Sequence, residues 1–286
     1  MRILMSGASG LLGRELMAAL RDGNELLGLG HSRCGENLIQ TDLREQSALR
    51  EIIADFKPDL FVHCAAYRDP DRCAENRDEA LKLNVEPLRL AKRVLPREAR
   101  LVLISSDYVF DGENPPYHEQ DKTNPVNFYG ETKCMAETII AERQGSLALR
   151  IPVLLGRDDS FEQSGFAYGL VSAVRSVEPK VMDNIHVRFP TWTRDVAAAL
   201  RFALDRGLDG VLHYSGEDGG TQYELALRTA RMLGASSEHI QPSTEAIPRI
   251  ARRPRDSQLA TDKIRALGFT RFTPFETAMQ AIIEPG

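Results

Sequence analysis

Little in this sequence points to metal, membrane or nucleic acid. Its four cysteines, Cys34, Cys64, Cys73 and Cys134, form no C-x-x-C pair and no ligand spacing with the six histidines, so no metal site is expected. Scattered thiols of this kind read as reduced and buried, which suits a cytoplasmic protein. No apolar stretch approaches the ~18 residues of a membrane span. The start, Met1-Arg2-Ile3-Leu4-Met5, runs straight into a glycine loop instead of a leader's apolar core. Basic residues are not in excess: the net charge is −5, which leaves no footprint for nucleic acid. One local cluster, Arg249, Arg252, Arg253 and Arg255, suits a phosphorylated small molecule or a solvated face equally well. Repeats, low-complexity tracts and long linkers are missing too.

What remains is an ordinary globular composition, 42% hydrophobic and 27% charged over 286 residues, long enough to bury a full core. Short apolar runs at 2–6, 25–30, 59–66, 100–105 and 146–152 predict strands, and helical patterns fall at 11–21, 45–55, 76–94 and 128–143. Asp42-Leu43-Arg44-Glu45 has capping-box spacing before the second helix. This alternation predicts a parallel sheet with helices on both faces. Residues 157–187 are polar and mixed, as in an insertion or lid. A helix at 196–204 and a strand at 211–214 then return to the sheet. Thr221 and Glu224 make a second capping box before a helix at 222–234, and 236–286 reads as part of a smaller lobe.

The run Gly7-Ala8-Ser9-Gly10-Leu11-Leu12-Gly13 follows the first strand and opens the first helix. Glycines there permit a tight turn and close approach of a pyrophosphate, which sits at the helix N-terminus. The class is therefore α/β, a Rossmann-type doubly wound sheet holding a dinucleotide. An NAD site usually has an acid about twenty residues past the loop. Here that stretch reads Gly30-His31-Ser32-Arg33, so Arg33, helped by Ser32 and His31, is expected to hold a 2′-phosphate. NADP is favoured, while Glu36 leaves NAD open. Asp42-Leu43 is expected either to flank the adenine or merely to cap a helix. Cys64-Ala65-Ala66 offers small side chains beside a cofactor, and Asn84 has a structural or a relay role. Residues 1–156 with about 188–215 form the expected NADP-binding domain, and 157–187 with 216–286 the substrate-binding lobe.

Ser105-Ser106-Asp107-Tyr108-Val109-Phe110 ends an apolar strand, and Tyr129-Gly130-Glu131-Thr132-Lys133 follows. Tyr129 and Lys133, four apart, share a helix face. A lysine ammonium beside a phenol favours the phenolate, bringing a proton donor toward working pH. Ser106 is placed to hydrogen-bond the same carbonyl oxygen. The spacing alone is weak; its weight comes from the glycine loop upstream.

Together these motifs resemble the extended short-chain dehydrogenase/reductases, and within them the branch containing dTDP-4-dehydrorhamnose reductase. Asn114-Pro115-Pro116-Tyr117, Arg188-Phe189-Pro190-Thr191 and Arg253-Pro254-Arg255-Asp256-Ser257 carry the resemblance along nearly the whole chain. It implies hydride transfer to a ketone, with Ser106 holding the carbonyl oxygen, Tyr129 donating the proton and Lys133 lowering the tyrosine pKa and anchoring the nicotinamide ribose. It also implies that Ser9, Gly10, Leu11 and Leu12 contact the pyrophosphate, with Gly7 and Gly13 framing the turn. Cys64, Ala65, Ala66 and Arg68 would lie along the cofactor and Leu154 near the nicotinamide, while Asp107, Val109 and Arg253 would face the substrate. The expected activity is NADPH-dependent reduction of a nucleotide-linked 4-keto-6-deoxy sugar. The same branch is similar to the regulatory β subunit of methionine adenosyltransferase, which implies an alternative: an NADP-binding subunit with methionine adenosyltransferase as partner. An NAD-dependent sugar-nucleotide epimerase or dehydratase is the third reading. Helices 76–94 and 128–143 could build a homodimer interface, though core packing explains their apolar stripes equally well.

Overall fold

The computed structural model describes residues 1–284. β1 (Arg2–Ser6) leads through α1 (Leu11–Leu20) to β2 (Glu25–Gly30), β3 (Leu38–Gln40), α2 (Gln46–Phe56) and β4 (Leu60–His63). Then come α3 (Pro70–Glu75), α4 (Arg77–Asn84), α5 (Glu86–Val94), β5 (Arg100–Ser106), α6 (Phe128–Ala141) and β6 (Leu147–Ile151). The remainder comprises β7 (Leu154–Leu155), α7 (Phe166–Val174), β8 (Lys180–Met182), β9 (Thr191–Trp192) and α8 (Thr193–Asp205). It ends with β10 (Gly210–His213), α9 (Gln222–Leu233), β11 (Ile240–Pro242), α10 (Asp262–Ala266) and α11 (Phe275–Ile283).

Seven strands form one sheet in the order β10-β6-β5-β4-β1-β2-β3, every pairing parallel. The expected doubly wound sheet is therefore present. Alternation along a strand sends neighbouring side chains to opposite faces. Ile3 and Met5 pack with Leu16 of α1 and Leu200 of α8, whereas Leu4 packs with Leu49 of α2 and Leu88 of α5. Each fully buried side chain of this size contributes ~1.5–3 kcal/mol. The strand order reverses between β1 and β4, which opens a crevice at their carboxyl ends.

Elsewhere a third cluster joins Leu170 and Val171 of α7, Leu225 of α9 and Phe275 and Met279 of α11. Ile264 and Phe269, within the stretch expected in the smaller lobe, instead pack into the sheet core beside Leu200.

Two local expectations are corrected. The helix expected at 76–94 is two, α4 and α5, broken at Val85 (φ −121°). Pro87 accounts for this: it sits in the first turn of α5, where its missing N–H is tolerated, and offers none to the Leu83 carbonyl four residues back, so the first helix cannot run on through it. Nor is the first capping box made. The Asp42 carboxylate accepts the backbone N–H of Arg44 (3.0 Å) and pairs with its guanidinium, so Glu45 opens α2 with no side-chain cap. The box at Thr221 and Glu224 is formed, with bonds of 3.2 and 2.8 Å.

Candidate functional site

The crevice begins at the glycine turn. Gly7 has φ +69°, and a Cβ there would lie 2.6 Å from the Ala65 nitrogen, so the turn presses on the segment after β4. A Cβ on Gly13 would lie 2.0 Å from the Gly7 carbonyl oxygen, which brings α1 hard against the turn. Gly10 caps α1 with no side-chain bond and no acid in the first turn, leaving the helix's free N–H groups for an anion. Gly10 is exposed and Ser9 and Leu11 half-buried, while the Leu12 side chain lies in the core, so Leu12 can offer only its backbone. The turn therefore fits a pyrophosphate.

At the next strand end, His31 and Ser32 are exposed. Arg33 donates from Nη1 to the Ser9 carbonyl (3.0 Å) and pairs through Nη2 with Asp158 (3.3 Å) and Asp159 (2.9 Å). Neither acid, nor Arg14 which also binds them, stood out in the sequence, because nothing local marks residues so far apart as neighbours. Asp42 is engaged by Arg44, whose hydrogen bond pulls the carboxyl down to about 2. The Leu43 side chain is buried with Leu49 and Ile53, leaving its backbone for any adenine contact.

Cys64, Ala65 and Ala66 are half-buried, and the Cys64 and Ala65 N–H groups donate to Ser6 Oγ (3.2 and 3.3 Å). Burial pushes the Cys64 thiol up to about 12, so it is not a nucleophile at neutral pH. Arg68 is exposed and Leu154 half-buried. Asn84 is fully buried: its Oδ1 accepts from Tyr67 N (2.7 Å) and its amide donates to Thr132 Oγ1 (2.9 Å), fastening the segment after β4 to α6.

Ser106, Tyr129 and Lys133 come together where β5 meets α6. Asn127 caps α6 by accepting Gly130 N (3.0 Å). Gly130 is required there, since a Cβ would lie 2.1 Å from the Tyr108 carbonyl oxygen. Lys133 Nζ donates to the Ile104 carbonyl (2.9 Å) and lies 5.8 Å from the centre of the Tyr129 ring. The tyrosine is not brought toward neutral pH as expected. Burial pushes the Tyr129 phenol above its ordinary value, and the neighbouring Ser106 hydroxyl pulls the other way. Burial also pushes Lys133 down to about 8, because an ammonium loses solvation in this position. Glu137, one turn beyond Lys133, accepts from Ser105 Oγ (2.5 Å) and pairs with Arg150 (2.7 Å), both side chains nearly inaccessible. Its signal was available: a charge four residues after Lys133 on the same buried face.

Of the residues expected to face the substrate, Asp107 is buried and accepts from Ser106 Oγ (3.0 Å) and Ser257 Oγ (2.5 Å). Burial raises its carboxyl against the pull of Ser257 and Arg188. Val109 is fully buried with Phe110, Tyr117 and Leu259; the structure gives it a packing role and no face toward a ligand. Arg253 is bound to Asp71 (2.9 Å), so its charge is already engaged. The Tyr108 ring meets Tyr129 edge-on at 5.9 Å and carries Arg188 at 5.6 Å, aromatic and cationic groups that the motifs did not single out for substrate.

Among the described residues, no helix is long and apolar enough to cross a membrane. A family model described as the RmlD substrate binding domain matches residues 1–286. Methionine adenosyltransferase 2 subunit beta of Bos taurus is 38% identical to the chain, across 99% of the chain and 87% of that protein. A probable dTDP-4,6-dihydroxy-2-methyloxan-3-one 4-ketoreductase of Streptomyces antibioticus is 33% identical, across 98% and 94%. The solved structure of a hypothetical dTDP-4-dehydrorhamnose reductase from Sulfolobus tokodaii superposes with a TM-score of 0.85 at 29% identity, covering 97% of this chain and 99% of that one.

Proposed function

The chain belongs to the RmlD substrate binding family, dTDP-4-dehydrorhamnose reductase-like oxidoreductases, and from that membership we propose that it is an NADPH-dependent reductase of a nucleotide-linked 4-keto-6-deoxy sugar. The observation that carries this reading is the convergence of Ser106, Tyr129 and Lys133 beside the glycine turn. A ketone placed between Ser106 and Tyr129 receives a proton from the phenol and a hydrogen bond from the serine hydroxyl, which turns to it from Asp107 Oδ1. Tyr129 holds that proton because its burial disfavours the phenolate. The bound dinucleotide supplies the hydride. Lys133, fixed by Ile104, keeps a positive charge beside the phenol as negative charge develops on oxygen. The turn at Gly7 to Gly13 holds the pyrophosphate, with Arg33 at the 2′-phosphate. The lobe of 157–187 and 216–286, apart from the stretch at 264–272 that packs on the sheet, covers the sugar nucleotide, with Tyr108 and Arg188 nearest the reacting end. The test is oxidation of NADPH with dTDP-4-dehydrorhamnose and related keto sugars. Tight NADPH binding without turnover of any keto sugar overturns it.

One observation favours a second reading: the 38% identity to the methionine adenosyltransferase subunit exceeds the 33% to the ketoreductase. On that reading the dinucleotide is bound and the triad idle, and the partner is a methionine adenosyltransferase. Changed kinetics of that enzyme on mixing support it; unchanged kinetics with no co-purification count against it.

A further inference from the structure

The end of the crevice at Arg33 holds a closed ion cluster. Arg14, on the first turn of α1, and Arg33, after β2, present two guanidiniums beside the glycine turn. Two carboxylates from far along the chain meet them. Arg14 Nη1 lies 2.9 Å from Asp158 and 2.5 Å from Asp159, while Arg33 Nη2 lies 3.3 and 2.9 Å from the same pair. Two cations and two anions balance.

The segment carrying the acids is itself anchored. Arg14 Nη2 donates to the Arg157 carbonyl (3.0 Å), and Arg157 Nη1 donates to the Ile282 carbonyl of α11 (2.6 Å). Asp158 N donates to Ser164 Oγ (3.1 Å), just before α7.

We infer that Arg14 and Arg33 together form a phosphomonoester subsite, and that Asp158 and Asp159 occupy it as an internal competitor which the 2′-phosphate of the dinucleotide must displace. This rests on the cofactor reading proposed above. A phosphomonoester offers oxygens for two guanidinium forks at once, as the two carboxylates do now. Phosphate and carboxylates cannot share the pair, because like charges at contact distance repel. A ribose with free hydroxyls carries no such charge and leaves the acids in place. Release of the acids is therefore specific to the 2′-phosphorylated cofactor. It frees a segment tied to α7 and α11, the helices of the third core cluster.

The test compares wild type with Asp158→Asn/Asp159→Asn and with Arg14→Gln by calorimetric titration of NADPH, NADH, 2′,5′-ADP and 5′-AMP. The aspartate variant is expected to bind NADPH and 2′,5′-ADP about five- to tenfold more tightly, the scale on which partly exposed ion pairs contribute. NADH and 5′-AMP should change by less than about twofold, since they leave the acids in place. Arg14→Gln should weaken NADPH and 2′,5′-ADP about tenfold, as loss of one charged hydrogen-bonding group does, with NADH unaffected. Unchanged NADPH binding in the aspartate variant, or equal shifts for NADPH and NADH, overturns the inference. Turnover is not needed: a chain that binds NADPH but reduces no sugar still decides the matter. Failure of both dinucleotides to bind overturns the cofactor reading and this inference together.

Discussion

Ser6 Oγ and His63 Nδ1 are 2.8 Å apart in the sheet interior, and the bond between them shapes the floor of the crevice. Its origin lies in Pro87, which has no N–H for the Leu83 carbonyl one turn before it. His63 Nε2 donates to that carbonyl instead (3.1 Å). Nε2 therefore carries the ring proton, Nδ1 accepts from Ser6, and the Ser6 oxygen is left to receive the N–H groups of Cys64 and Ala65. A helix break thus fixes a histidine tautomer, which fixes the segment against which Gly7 packs.

This arrangement makes stability sensitive to acid. Burial pushes His63 down to about 3, helped by the nearby Lys133 charge. His213 falls to about 3 as well, through burial and the Arg150 guanidinium that donates to its Nε2 (3.2 Å). Both folded values lie below the unfolded value near 6.5. The unfolded chain therefore takes up protons that the folded one refuses, and stability, full above about pH 6.5, is lost as pH falls toward 3. Two protons imply up to about a hundredfold change in the unfolding equilibrium per pH unit inside that window. Urea unfolding between pH 7 and pH 5 measures this, and His63→Gln should remove about one proton from the slope. A flat profile above pH 5 would contradict the burial argument.

Much of the frame was legible because periodicity reports burial directly. β1, β2, β5 and α6 lie within a residue or two of their expected bounds. The break at Val85 was also written in the chain, as Pro87, but the apolar stripe across it concealed the boundary. The site was legible where its residues are close in sequence, as with Tyr129 and Lys133. It was not where partners meet only through the fold: Asp71 with Arg253, Asp107 with Ser257, Arg33 with Asp158. Asp42 shows the other limit, since capping spacing was present but Arg44 took the carboxylate first.

Glycine contacts give an internally controlled test. A Cβ on Gly130 meets the Tyr108 carbonyl, whereas Gly169, inside α7, has nothing within 4 Å. Gly130→Ala should cost about 1–3 kcal/mol through forced repacking and displace Tyr129, lowering turnover further than stability. Gly169→Ala should add about 0.5–1 kcal/mol by restricting the unfolded chain. Thermal denaturation and keto-sugar kinetics on the two variants check both signs.

The Glu137–Arg150 pair is buried with Ser105 as its third member. Glu137→Ala leaves an uncompensated guanidinium and should cost about 3–5 kcal/mol. Glu137→Leu/Arg150→Met removes both charges and should cost clearly less, since replacing a buried pair by apolar groups is often near neutral. A double-mutant cycle by chemical denaturation gives the coupling. Equal losses for the single and double variants would mean that packing, and not charge, holds this joint.

The last prediction concerns the proton. Tyr129 keeps its hydroxyl proton across the neutral range, since burial raises the phenol. The group that titrates near working pH is Lys133, pushed down to about 8 by burial. Reduction should therefore not fade for want of a protonated tyrosine. It should fade above about pH 8, as Lys133 loses the charge that stabilises negative oxygen. Tyr129→Phe should abolish reduction at every pH while changing NADPH affinity by no more than about tenfold, because the phenol's loss removes one hydrogen bond at most. Lys133→Met should lower the rate and erase the alkaline limb of the profile. If that limb survives in Lys133→Met with an unchanged midpoint, another group controls it, and the assignment of the working titration to Lys133 is wrong.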